Sequence, residues 1–355
     1  MSSSPEYVKV AECLYRHSQS GVYYALVKRA GKQIRRSLRT KDRKLAERKL
    51  VDFRRKVDRM YKQAGDKAVT FKEFSLTWLN ISQAGHKSRT NTRREASVKQ
   101  LTYYFGIKRV RDITIRDCEA WHVGRSPDVS ASTFNKERDA LIGILDMAVR
   151  DGLILDNPAR QIDRRKIAKP QIIIPTREQY RLLLQTMRED NPRAVRTAKG
   201  AFLVECLACS GMRVGEATAM RWGDIDFQRE LFTVTGGQAG TKNGDVRVVP
   251  LFPGFKDFLK RLKKAVGGRP AASDLLIGID SAKQALQSAC AKAELPHFTH
   301  HSMRHYFVSN AIEAGIDFKT IAAWVGHKDG GLLVAKTYGH LRDTHSAEMA
   351  KLMKA

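Results

Sequence analysis

Long apolar runs are missing from this chain: nowhere do about eighteen apolar residues follow one another, so nothing in it is suited to span a bilayer as a helix. The first residues, Met1-Ser2-Ser3-Ser4-Pro5-Glu6, lack the apolar stretch of a secretory signal, which points to a cytoplasmic, chromosome-associated protein. Cysteine is scarce. Cys13, Cys118, Cys206, Cys209 and Cys290 are odd in number and scattered, which excludes a disulfide framework and fits reduced thiols. Cys206-x-x-Cys209 lies in an apolar run with no second cysteine pair, so it reads as buried thiols, not a zinc or redox site. No period of about twenty to fifty residues repeats, which excludes a solenoid. Carboxylates are also few, and they form no cluster of the kind a metal-dependent nuclease needs.

What is abundant is positive charge. Lys and Arg number 64 against 37 Asp and Glu, for a formal charge of +27. Such an excess suits an extended polyanion, most directly double-stranded DNA, because each neutralised phosphate releases condensed counterions. No long amphipathic basic helix dominates, so a membrane surface is the weaker reading. At 355 residues the chain calls for two or three domains.

The chain reads as multidomain and mainly α with small β-sheets. Residues 20–40 form a small basic sheet: Gly21 to Lys28 is strand-like, Ala30-Gly31-Lys32 supplies a turn, and Gln33 to Leu38 returns. From Asp42 to about Tyr61 the pattern is helical, with Leu45, Lys49, Phe53 and Met60 among many charges. Residues 21–60 hold fifteen Lys or Arg and four Asp or Glu, which makes residues 1–62 a candidate DNA-binding module. Residues 62–67 read as a polar linker. Thr70 and Glu73 then stand at capping-box spacing before an apolar stripe of Phe71, Phe74, Trp78 and Leu79. Three more helices follow, over Thr90–Tyr104, from Asp112, and over Ser132–Arg150, giving a helical domain over 69–160. The stretch from Arg160 to Pro170 is basic enough to pass along a phosphate backbone. A mixed α/β domain occupies 171–355. Within it Leu231–Val234 and Arg247–Leu251 are strand-like, with Lys242-Asn243-Gly244 at the turn between them.

Seven of the ten histidines lie from His297 onward. His301 and Arg304 share a helix face, and Arg304 offers a planar fork for a phosphate. His301 and His305 could begin a metal site, but no carboxylate or cysteine set completes it, so no metal and no cofactor is expected. Tyr338 is a phenol that becomes nucleophilic only beside cations or a base. Arg213 follows an apolar helix and a glycine, at an interrupted, semi-buried position, with Glu216 three residues on to hold it.

Gly211-Met212-Arg213-Val214-Gly215-Glu216, His301-x-x-Arg304-His305, Gly326-His327 and Tyr338, in this order, resemble the signature of the tyrosine recombinases, the phage-integrase family. The resemblance covers the carboxy-terminal half closely and the rest by architecture. It implies that Arg213 and Arg304 clamp the scissile phosphate, that Tyr338 attacks it, and that Lys242 protonates the leaving 5′ oxygen. His301 and His327 manage the phenol proton and a nonbridging oxygen, while Glu216 and His305 support from behind. It further implies an amino-terminal arm-binding domain of three strands and a helix, a core-binding (SAM-like) domain, a homotetramer on DNA, and a Holliday junction intermediate. A DNA-bending accessory protein, an excision factor, and a tail over Ser346–Met353 that docks on a neighbouring protomer belong to the same picture. Met303 and Val325 stand where leucine is more usual, and Lys328-Asp329-Gly330-Gly331 lengthens the step from His327 to Tyr338 by about two residues. The reading is the integrase of a phage or other mobile element. Its rivals are a type IB topoisomerase-like relaxing activity and a catalytically inactive DNA-binding protein.

Overall fold

The structure, a computed structural model, describes residues 6–29, 32–63, 69–84, 88–168, 172–189, 195–237 and 245–338. The chain divides into two compact units, residues 1–169 and 170–355. The described residues are mostly helical, with two small antiparallel sheets.

The first unit opens with a meander of four strands, β1 (Tyr7–Ala11), β2 (Leu14–His17), β3 (Tyr23–Arg29) and β4 (Lys32–Ser37). The residue pattern locates only the last two, and where the resemblance implies three strands the described residues form four. The turn from β1 to β2 is made at Cys13 with φ +60°, a conformation that glycine or asparagine would have advertised and cysteine does not. Alternation along β3 buries Tyr23, Ala25 and Val27 against helix α1 (Arg43–Gln63). The buried stripe of α1 is Ala46, Leu50, Phe53 and Val57; of the residues that mark the helical pattern Phe53 lies in it, whereas Leu45 is exposed. On the opposite sheet face Tyr7 packs edge-on against His17 and Tyr24, with the Arg35 guanidinium 4.9 Å above its ring.

Four helices follow: α2 (Phe71–Gln83), α3 (Ser88–Phe105), α4 (Ile115–Arg125) and α5 (Ala131–Arg150). The capping box at the start of α2 forms as its spacing requires, the Thr70 N–H donating to Glu73 and the Glu73 N–H to the Thr70 hydroxyl. Their core is aromatic, with Trp121 stacked on Phe134 at 4.9 Å beside Phe71 and Phe105. The sheet module leans on this bundle, since Leu155 joins its core and Arg36 forks onto both carboxylate oxygens of Asp156. The basic stretch after Asn157 is largely committed within the unit. Arg160 pairs with Asp146, Arg164 with Asp139, and Arg165 donates to the carbonyls of Ser126 and Val129. Carboxylates and turn carbonyls of the bundle lie within reach, so these cations are not all left for a phosphate backbone.

In the second unit α6 (Arg177–Glu189), α7 (Val195–Ser210) and α8 (Val214–Ala219) precede strands β5 (Ile225–Asp226), β6 (Leu231–Val234) and β7 (Arg247–Pro250). Helices α9 (Pro253–Ala265), α10 (Lys283–Lys292), α11 (His300–Glu313), α12 (Phe318–Val325) and α13 (Leu332–Tyr338) complete it. Helix α7 is apolar around most of its circumference, as a central helix must be, and packs on α6, α9 and α11. Cys206 and Cys209 lie here as free thiols, both held protonated by burial, Cys209 with its pKa pushed up to about 11. A second cluster joins Phe307 and Ile312 of α11, Ile321 and Val325 of α12, and Val334 of α13. Val334 is fully buried, so it anchors the short helix that ends at Tyr338. Among the described residues no helix is long and apolar enough to cross a membrane.

Candidate active site

Helix α7 stops at Gly211, which has φ +66°; a Cβ there would lie 2.4 Å from Cδ1 of Phe307. Only glycine fits, on both counts. The reversal puts Arg213 at the N-cap of α8, and Glu216 reaches back to it. The carboxylate accepts from the Arg213 backbone N–H and from its Nη1, each at 2.9 Å. Burial alone would raise the Glu216 pKa, but bonds from Arg247 and Arg213 outweigh it and hold the group down at about 2.

Arg304 projects from α11 and is 3 % exposed. Nη1 donates to the carbonyl of Gly211 at 2.7 Å, Nη2 to that of Val325 at 2.7 Å, and Nη2 also to His327 Nε2 at 3.1 Å. An arginine has no acceptor, so Nε2 carries the lone pair and the ring proton sits on Nδ1. Nδ1 is buried with no hydrogen-bond partner among the described residues. Burial, reinforced by the charges of Arg304 and Arg213, lowers the His327 pKa to about 4, so the ring is neutral at pH 7.

His327 owes its place to the end of α12. Gly326 adopts φ +71°, and paired reverse bonds close the helix, from the Gly326 N–H to Ala323 and from the His327 N–H to Ala322. Arg213 Nη2 donates to the Gly326 carbonyl at 3.2 Å. Arg213, Arg304 and His327, separated by up to 114 positions in the chain, thus meet at one helix terminus. His301, on the exposed side of α11, packs edge-on against His305 with ring centroids 4.3 Å apart. Burial, with the His301 and Arg304 charges beside it, lowers the His305 pKa to about 4. Among the described residues, no three His, Cys, Asp or Glu side chains gather as a metal site would require.

Tyr338 is the last residue of α13, one turn beyond the buried Val334. Lys242 falls in residues 238–244, outside those described, as does the tail from 339. The strands that flank the Lys242 segment do pair as a hairpin, Val234 opposite Arg247. The sequence reading passes over Arg247, treating it only as the start of a strand. It donates to both oxygens of Glu216 at 3.1 and 2.7 Å and lines one cleft with Arg213, His327 and Lys328. A basic residue opening a strand immediately after the Lys242 turn was the available signal. Lys328, within the lengthened loop, pairs with Asp245 at 2.6 Å at the root of the same hairpin.

A family model described as "Phage integrase family" matches residues 175–345. Among curated relatives, the tyrosine recombinase XerD of Neisseria meningitidis serogroup A is 27 % identical over 205 residues, covering 54 % of this chain and 66 % of that one. The chain thus spans just under two thirds of that relative's length. A putative integrase/recombinase of Haemophilus influenzae is 26 % identical over 247 residues, covering 69 % and 78 %. Among solved structures, a lambda integrase dimer bound to a COC′ core site superimposes with a TM-score of 0.65 at 20 % identity, covering 93 % of this chain and 95 % of that one. The Tn1549 transposon integrase with transposon right end DNA gives 0.62 at 19 %, covering 80 % and 99 %. These likenesses establish a multidomain integrase fold. The match to the phage integrase family falls on residues 175–345, nearly all of the second unit and the stretch that carries Arg213, Arg304, His327 and Tyr338.

Proposed function

We propose that this chain is a site-specific DNA recombinase, the integrase of a phage or other mobile element, that breaks and rejoins strands through a 3′-phosphotyrosyl link and a Holliday junction. One observation carries the reading: Arg213, Arg304 and His327 converge on the end of α12, and the next helix ends at Tyr338. Attack of the phenol on a phosphodiester builds negative charge on the nonbridging oxygens, and two arginines from different elements are suited to carry it. When a phosphate oxygen takes the Arg304 N–H now given to His327, the imidazole Nε2 is released to exchange a proton at the site. His301 is the group proposed to accept the Tyr338 proton, and Lys242 the one that protonates the departing 5′ oxygen. Glu216 and His305 support the arginines and the histidine pair.

The domain roles follow the same reading. Residues 1–62 bind arm-type DNA sites, 69–160 the core site, and 171–355 perform catalysis, as a homotetramer on double-stranded DNA. Lambda integrase crystallised as a tetramer on a Holliday junction is a neighbour in fold. An accessory bending protein and an excision factor would set direction.

Wild type and Tyr338→Phe are incubated, without added metal, with labelled duplexes from the region flanking the gene, each nicked near a candidate site. A covalent adduct with wild type that is lost in Tyr338→Phe supports the reading, and exchange between two duplexes separates recombination from relaxation. An adduct that persists in Tyr338→Phe, or cleavage that depends on magnesium, would sink it.

A further inference from the structure

Three consecutive carbonyls at the end of α12 are each taken by a different arginine. The Trp324 carbonyl accepts from Arg247 Nε at 2.8 Å, that of Val325 from Arg304 Nη2 at 2.7 Å, and that of Gly326 from Arg213 Nη2 at 3.2 Å. A helix leaves such groups unpartnered at the end where its dipole is negative, so the terminus collects cations. Arg213 and Arg304 belong to the proposed catalytic set. Arg247 comes from elsewhere, the first residue of β7, just past the segment that contains Lys242.

Each of its three guanidinium nitrogens donates a bond. Nε holds the Trp324 carbonyl, while Nη1 and Nη2 grip both oxygens of Glu216. The side chain is 12 % exposed, and it runs so close to Gly326 that a Cβ there would lie 3.0 Å from Nη1. Resting on the recombinase reading, we infer that Arg247 is a positioning residue: it braces Glu216 against the end of α12, and so fixes Arg213 and His327 as a preformed oxyanion site.

The charge arrangement explains the need. Glu216 is shared between two arginines, so neither is wholly neutralised by it. Without Arg247, Glu216 is left to Arg213 alone, and the Trp324 carbonyl loses its cap. Arg213 is then drawn away from the oxyanion, and the turn bearing His327 loosens. Lysine keeps the charge but is a point donor, unable to hold two carboxylate oxygens and a carbonyl together.

The test uses the full chain as wild type, Arg247→Lys, Arg247→Gln and Arg188→Gln. The last removes a cation from Glu205, a different buried carboxylate, and controls for general loosening. Inorganic phosphate is titrated in while the ring 15N resonances of His327 are followed, and adduct formation is timed on the nicked duplexes above. Phosphate should shift the wild-type resonances, and both Arg247 variants should bind it about tenfold or more weakly, whereas Arg188→Gln binds as wild type even if its melting temperature falls. If Arg247→Gln does not fold, Arg247→Lys carries the comparison. Phosphate binding by an Arg247 variant within about twofold of wild type, or no phosphate shift in wild type, overturns the inference. An Arg247-dependent phosphate site in a chain that never links to DNA would sink the recombinase reading and leave the inference standing. A wild-type adduct formed at an unchanged rate by Arg247→Gln would do the reverse.

Discussion

Among the described residues Arg304 is the most deeply buried cation of the site, and both of its terminal nitrogens donate to carbonyls at chain reversals. Replacing it with alanine removes a charge from the proposed transition-state site and leaves those carbonyls bare. Loss of one such donor costs about 2.7–4 kcal/mol of barrier, so adduct formation by Arg304→Ala should fall by about 10²–10³-fold in a single-turnover assay. Arg304→Lys should rescue little of this, since the fork is what reaches two carbonyls. The residue scale also predicts a pH dependence. His305 is held neutral with its pKa lowered to about 4 by burial and by the His301 and Arg304 charges. The unfolded ring binds a proton near pH 6.5, so below that the unfolded state holds more protons and stability falls as pH drops towards 4. His305→Gln should flatten the slope of the denaturation midpoint between pH 6.5 and 4. Glu216 acts lower on the scale. Its contribution is complete above about pH 4.5 and is lost as pH falls through about 2.

At the scale of elements, the site depends on how helices stop. Helix α7 ends at Gly211 and α12 at Gly326, both with positive φ, and the two reversals deliver Arg213 and His327 to the same place. Gly211→Ala would combine a strained backbone with a Cβ driven into Phe307, and should destabilise by about 2 kcal/mol or more, read as a fall in melting temperature. The periodic parts of these elements were legible in the sequence. Apolar spacing and capping pairs such as Thr70 with Glu73 announce α2 through chemistry that acts within one turn. The strands β1 and β2 were not legible, because a turn built on Cys13 carries no local signal. Nor was the buried stripe of α1, where so many positions are charged that Ala46 and Val57 emerge as core only once the sheet lies against them.

Over the whole molecule, the +27 charge predicts that DNA affinity falls linearly in a plot of log K against log salt, with a slope of about −0.9 for each phosphate contacted. On the proposed reading the amino-terminal module would contribute through the sheet face that carries Tyr7, Tyr24 and the exposed Arg35. Arg35→Ala should reduce the slope by about 1 on arm-site duplexes if that cation meets a phosphate. The cations of the 160–165 stretch should contribute less than their number suggests, because Asp146, Asp139 and two carbonyls already hold them.

The sequence alone pointed to a polyanionic partner, a resemblance to the tyrosine recombinases, a mainly helical architecture and six candidate catalytic positions, because each rests on composition, local periodicity or short ordered motifs. Tertiary structure decided how the described part of that set is held. Arg213, Arg304 and His327 meet at the end of α12 because a helix terminus leaves carbonyls that only donors from other parts of the chain can satisfy. Arg247 became visible only there. Its partners, Glu216 and the Trp324 carbonyl, lie 31 positions before it and 77 after it, and no local pattern records a contact made across such distances.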